Sequence, residues 1–236
     1  MKLRWFGLLP LVSLAAASLV GCTVASGVAT PSPPPGTAAA SATRSPTTAA
    51  KISKSQADSL VAQAALPSNA LAVIGDFTEP TKSDTTLTSP QWVCGWPRQP
   101  RVNLSARTTT WDFDGIAIVQ TVVAYESAEA DAVLAESRRD IARCTGPQDF
   151  GNIKQDQWAE QTPPTYPGVA DEYGFSLRNS DDAGVRYVWR IQVVSPDRHL
   201  FADLYADAFN LGDAKSAALK AAALQATRVA AILLSQ

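Results

Sequence analysis

Residues 101–125 read "RVNLSARTTTWDFDGIAIVQTVVAY", and the fold turns on them. Two runs rich in β-branched residues, 101–111 and 115–125, flank "DFDG" at 112–115. A glycine at the end of such a tetrapeptide tolerates the positive φ of a tight connection, so the segment is read as a β-hairpin. Downstream, "SAEADAVLAESRRDIARC" (127–144) places Ala130, Val133, Leu134, Ser137 and Ile141 at helical spacing. Ser127 is its candidate N-cap, and Gly146–Pro147 mark its stop.

After a polar, proline-containing stretch, three more runs read as strands: 171–179, 185–194 and 199–208, joined by "SDDAG" and "SPDR" turns. In the middle run, Val185, Tyr187, Trp189, Ile191 and Val193 share one face. Arg186, Val188, Arg190 and Gln192 share the other, either solvent or the wall of a cleft, with solvent the plainer reading. "GDAKSAALKAAALQATRVAAILL" (212–234) closes the chain as an alanine-rich helix with Asp213 near its start. Its expected buried stripe is Leu219, Ala222, Ala223, Ala226, Val229, Ala230 and Leu233. Upstream, "SKSQADSLVAQAALP" (53–67) carries Ala57, Leu60, Val61, Ala64 and Ala65 on one helical face and stops at Pro67, and 75–91 reads as a loop. Tight turns between strands imply an antiparallel sheet. The expectation is an α+β fold: about five antiparallel strands, helices on one side, one disulfide and a helical C-terminus.

Composition excludes several function classes. The formal charge is −2 with no basic run, which leaves no nucleic-acid footprint. One histidine, one methionine and three cysteines offer little for soft-metal chemistry, and no cofactor is expected.

The chain opens like an export signal. Lys2 and Arg4 precede an uncharged, mostly apolar stretch, Trp5 to Val20, that ends in "LVGC" (19–22). As a helix those residues rise about 24 Å, short for a stable membrane span. The ending resembles the lipobox of bacterial lipoproteins. That resemblance implies cleavage after Gly21 and a diacylglycerol thioether on Cys22, whose palmitate-type chains become the anchor. A secreted protein cut elsewhere and an uncleaved anchor helix are the alternatives. Loss of Lys2 and Arg4 takes the formal charge from −2 to −4, so the lipid alone would hold the protein on an anionic membrane.

From Thr23 to about Lys51 the sequence is Ala, Thr, Ser and Pro, including "PSPPPG" (31–36). Such a segment cannot bury enough surface to offset ordering and reads as a tether spanning roughly 30 Å. The expected organisation is a signal peptide over 1–21, a lipid-anchored linker over 22–53 and a folded domain over 54–236. Outside the cytoplasm, the two remaining cysteines, Cys94 and Cys144, are expected to pair. The bridge would close about fifty residues and contribute at most roughly 4 kcal/mol on the chain-entropy model. Free thiols are the alternative.

These residues together resemble a family, the extracellular sensor domain of mycobacterial PknH-type serine/threonine kinases, which also occurs as free-standing actinobacterial lipoproteins. The resemblance covers about 54–236. It rests on the opening helix ending in "ALP", on Cys94 before a hairpin, on "IAIVQTVVAYESAEADAVL" leading into Cys144, and on a strand pair followed by an alanine-rich helix. It implies an antiparallel sheet with a ligand cleft and no catalytic residues. The chain departs from the family in having one of two disulfides, in Ile141 where tryptophan is common, and in lacking a kinase.

Catalytic motifs are sparse. His199 is the single histidine, and Asp203, on the same face of one strand, would lie roughly 13 Å away, too far for a dyad. Asp112, Asp114, Asp181 and Asp182 sit in turns, where aspartate bonds the local backbone. Tryptophan and arginine point instead to binding, with ring faces and guanidinium planes suited to sugars, aromatic ligands or anionic groups. The candidate cleft residues are Trp96, Arg98, Arg107, Trp111, Trp158, Arg186 and Arg190.

The expected function is that of a binding or sensor module rather than an enzyme, exported and lipid-anchored at the outer face of the plasma membrane. Its expected partner is a cell-envelope small molecule or glycan. The alternative is an envelope scaffold that docks a protein without a small ligand, and a hydrolase is the third reading.

Overall fold

The computed structural model describes residues 50–77, 79–83, 92–93, 96–97 and 101–232, all within the unit Pro46–Gln236. The signal segment, Cys22 and most of the linker lie outside the described residues, as do Cys94 and Arg98. In chain order the elements are α1 (Lys54–Ala64), a 3-10 turn (Ala70–Val73), β1 (Thr81–Ser83), β2 (Trp92–Val93), β3 (Trp96–Pro97), β4 (Ser105–Phe113) and β5 (Ile116–Ala124). There follow α2 (Ala130–Arg143), β6 (Gln148–Asp149), β7 (Lys154–Gln161), β8 (Asp171–Asp181), β9 (Gly184–Val194), β10 (Leu200–Ala208) and α3 (Leu211–Ala231).

The 101–125 hairpin forms as β4 and β5, but its turn is tighter than "DFDG". Asp112 and Phe113 stay paired, and Asp114 and Gly115 alone make the connection with φ of 40° and 76°. Positive φ at both central positions is the geometry whose twist matches antiparallel strands.

The sheet is antiparallel and larger than expected, with eight strands in the order β1-β4-β5-β10-β9-β8-β7-β6. The additional strands β1, β6 and β7 lie at its two edges. β1 and β6 are three and two residues long, too short to carry a period. β7 is "KQDQWAEQ", and a bulge at Gln157, φ 53°, shifts its register between Asp156 and Ala159. The extra residue breaks the alternation that would have marked a strand. β2 and β3 form a separate two-stranded pairing.

Helices cover both faces, not one. The first face carries Trp111, Ile118, Val122, Trp189, Ile191, Val193 and Leu204 beneath α1 and α3. The second carries Val123, Tyr173, Phe175, Val188, Val194 and Phe201, with α2 packed on part of it through Ala130, Val133, Leu134 and Ile141. Both sides of β9 and β10 are therefore apolar in part, and one layer of helices could not bury them. The Arg186–Gln192 face of β9 is accordingly not solvent, since Val188 and Gln192 on it are buried.

Ser53 caps α1 in a reciprocal capping box with Gln56. α2 starts two residues later than Ser127 suggested, with Glu129 in the N-cap position. Ser127–Glu129 fold into a tight turn (Glu129 N to Ser127 O, 2.7 Å), and the Arg198 carbonyl takes the Ala130 N–H at 3.1 Å in place of a side-chain cap.

Asn210 caps α3, its Oδ1 accepting from the Asp213 N–H at 2.9 Å. The buried stripe of α3 is Ala214, Ala217, Ala218, Ala221, Ala222, Gln225, Ala226 and Val229, rotated from the expected one. Leu219 and Ala230 are half-buried, Ala223 is exposed, and Leu233 lies outside the described residues. Small residues bring this helix close to the sheet, so its largest side chains sit at the rim. Gln225 is buried because it binds both neighbours: it accepts from Gln120 Nε2 on β5 and donates to the Ala64 carbonyl of α1 at 3.1 Å.

Candidate functional site

Strand register arranges the second sheet face as lateral rows. Tyr173, Gln192, Asp203, Thr121 and Thr108 form one row across β8-β9-β10-β5-β4. Phe175, Arg190, Tyr205, Val119 and Thr110 form the next. Arg186 and Asp207 lie beyond them, toward the Gly115 turn. Thr108, Thr110, Val119, Thr121, Tyr205 and Arg186 are half-buried, so this part of the face is a floor of partly accessible side chains.

Arg190 and Asp203 stand at its centre. The guanidinium donates to both carboxylate oxygens, through Nε at 2.7 Å and through Nη2. Asp203 is 3% exposed, and the Arg190 side chain 19%. The guanidinium lies 5.6 Å from the Phe175 ring and 5.5 Å from the Tyr205 ring, within cation–π range of both. Burial works against its charge, yet the Asp203 carboxylate, by charge and hydrogen bonds, holds Arg190 above its ordinary pKa. Burial pushes the Tyr205 phenol up, and Tyr173 up to about 12. Trp158 stacks on Phe175 with ring centroids 6.3 Å apart.

Three polar atoms on this face are buried and find no partner among the described residues: Gln192 Oε1, Asn179 Oδ1 and Trp158 Nε1. Two are acceptors and one is a donor. Buried groups of this kind are nearly always satisfied, so each unpaired one asks for an explanation. The Arg190–Asp203 pair is neutral as a unit. Around this pair the face therefore offers hydrogen bonds and ring surfaces without net charge.

The structure divides the candidate residues. Trp158, Arg186 and Arg190 share the second face. Trp111 is corrected to the first: it is fully buried there, and its indole N–H donates to the Ser68 carbonyl at 3.0 Å. Arg107 also belongs to the first face by register, beside α1, where it lines an open depression of about 380 Å³ with Lys54, Asp58 and Ser105. Trp96 contributes backbone to β3. Cys144 ends α2, and its expected partner Cys94 lies outside the described residues.

Sequence reasoning missed Phe175 and Tyr205, set Gln192 on the face opposite Trp189 without counting it among the cleft candidates, and weighed Asp203 only against His199. The signal was present in the β9–β10 hairpin. Folding residues 185–208 about "SPDR" opposes Arg190 to Tyr205 and Gln192 to Asp203. His199 is buried, with Nδ1 3.2 Å from the Tyr125 carbonyl. The described hydrogen bonds put no imidazole on a hydroxyl, and no three His, Cys, Asp or Glu side chains converge among the described residues. Asp181 acts locally, its Oδ1 accepting from the N–H groups of Ala183 and Gly184.

No family model matches the chain, and no curated protein matches it. Among solved structures it is similar to the extracellular domain of PknH from Mycobacterium tuberculosis. Identity is 15%, the match covers 77% of this chain and 98% of that one, and the TM-score is 0.48. Among the described residues no helix is long and apolar enough to cross a membrane.

Proposed function

We propose that the chain is an extracytoplasmic binding module, held by lipid on Cys22, that takes a small cell-envelope molecule or glycan segment on the second face of its sheet. One observation carries this reading. Three unpartnered buried polar atoms lie on the same face as a neutralised Arg190–Asp203 pair framed by Phe175, Tyr205 and Trp158. Ring faces that stack and amide groups that lack partners match a ligand rich in hydroxyl or amide groups. The export-like start and the Ala/Thr/Pro/Ser linker support a location at the outer face of the plasma membrane. The Cys94–Cys144 pairing is part of the same proposal and would tie the 92–97 segment to the end of α2.

Native mass spectrometry of the whole chain, purified from its own membranes, tests the site. A co-purifying mass present in the wild type and lost in Gln192→Leu is the expected result. The polypeptide and its anchor alone, in both samples, would overturn it. For the anchor, Cys22→Ala should move the protein from the detergent phase to the aqueous phase on phase partition.

A further inference from the structure

Five large apolar side chains are exposed among the described residues: Val73, Val102, Val185, Phe209 and Leu211. Four of them gather at one end of the sheet. Val185 opens β9, and Phe209 and Leu211 connect β10 to α3. Val73 ends the 3-10 turn two residues before Gly75, which abuts the Phe113 ring at the last residue of β4. Scattered exposed apolar residues need no explanation; a concentration at one pole does.

Phe209 is 63% exposed and yet held in place. The Arg186 guanidinium lies 4.7 Å from its ring, and Gly115 packs so closely beneath it that a Cβ there would come within 2.6 Å of the ring. Arg186 is fixed in turn by Asp207 and by the Gly115 carbonyl at 2.9 Å. An exposed ring with its position already set costs little further entropy on contact, as anchor residues of interfaces do.

Beside it lies an open depression of about 490 Å³. Among the described residues, Asp76, Asp114 and Asp207 line it with Arg186, which Asp207 already pairs. The exposed Asp181–Asp182 turn stands at the same end of β8 and β9. This pole is one length of β5, roughly 30 Å, from Glu126, where the chain enters the domain through the Lys51 ion pair and the Ile52 N–H.

We infer that this pole docks a protein partner, through a basic segment that carries an apolar side chain between Lys or Arg residues. The excess of carboxylates selects a cationic partner, and the fixed Phe209 ring selects an apolar contact within it. The same charge opposes a second copy of this pole and an anionic lipid surface. The site lies at the Gly115 end of the sheet, beyond the Arg190–Asp203 pair, and does not depend on a ligand binding there.

The test uses the full chain in a non-ionic detergent and two fluorescein-labelled peptides, one alternating Lys with Leu and its Glu-for-Lys counterpart, followed by anisotropy. The Lys peptide is expected to bind and to weaken as salt rises, with no binding by the Glu peptide. Phe209→Ser and the pair Asp76→Asn/Asp114→Asn should each weaken it about tenfold, while Glu126→Gln at the opposite end leaves it unchanged. The aspartate variants lie on exposed positions and keep the test valid should Phe209→Ser perturb folding. Equal binding by both peptides, none up to millimolar peptide, or insensitivity to the aspartate variants would each overturn the proposal. So would a dimer in sedimentation that Phe209→Ser dissolves, since the pole would then be a self-contact.

Discussion

Arg190 is the residue on which the second face depends. Its charge is compensated by one nearly inaccessible carboxylate, and removing either partner strands the other. Arg190→Met should cost about 3–5 kcal/mol in urea denaturation, whereas Arg190→Met with Asp203→Leu should recover most of the loss. The first sheet face has a comparable polar joint at Gln225. Gln225→Leu orphans Gln120 Nε2 and the Ala64 carbonyl, with about 1–3 kcal/mol for each. Neither joint was legible from composition, because each partner lies on a different element: Asp203 on the next strand, Gln120 more than a hundred positions upstream of Gln225. Arg190 itself was legible, since alternation along 185–194 assigned it to the face opposite Trp189.

At the scale of elements, most local signals were read correctly, the Ser127 cap being the exception, and long-range ones were not. The α1 helix ahead of Pro67, the Gly115 turn and the two strands around "SPDR" depend on neighbours within a few positions, and each forms near its expected place. The rotation of α3 depends on how close the sheet lets it come, which no helical period reports. Ala218→Leu, at a fully buried position, should lower stability by about 1–3 kcal/mol through overpacking. The same change at the exposed Ala223 should leave the melting temperature almost unchanged. Asn210→Ala removes the cap of the same helix and should cost about 1 kcal/mol. β7 escaped notice because its bulge interrupts alternation, and that bulge also makes it a poor template for edge-to-edge pairing.

For the whole molecule, pH acts from two directions. Burial raises Tyr166 and Tyr173 to about 12, above their ordinary 10.0, so the unfolded chain ionises first as pH rises. Their contribution is intact below pH 10 and lost between about 10 and 12, which chemical denaturation should display and Tyr166→Phe with Tyr173→Phe should abolish. On the acid side, hydrogen bonding and charge from Arg178 hold Asp156 below its ordinary 3.8. That stability is present above 3.8 and lost as pH falls through the lower folded-state value, so Asp156→Asn should flatten the decline. Burial raises Asp207 and Glu172 instead, which gives the opposite sign: a shallow gain as pH falls through their raised folded-state values toward their ordinary 3.8 and 4.5.

The strand order has a kinetic consequence. β10 lies between β5 and β9, so the centre of the sheet is filled by the last strand to be synthesised. The β9–β10 hairpin closes over few residues, but β5 must wait through α2 and four further strands for its second neighbour. Until Leu200–Ala208 arrives, β5 presents a bare row of backbone donors and acceptors with Val122 and Val123 beside it. Closing so long a loop is slow, and an unpaired strand of that kind invites pairing with another chain. A ribosome product cut short before residue 200 would thus be an aggregation seed rather than a partly working domain, and late chaperone protection would matter most for the stretch between Ile116 and Ala124.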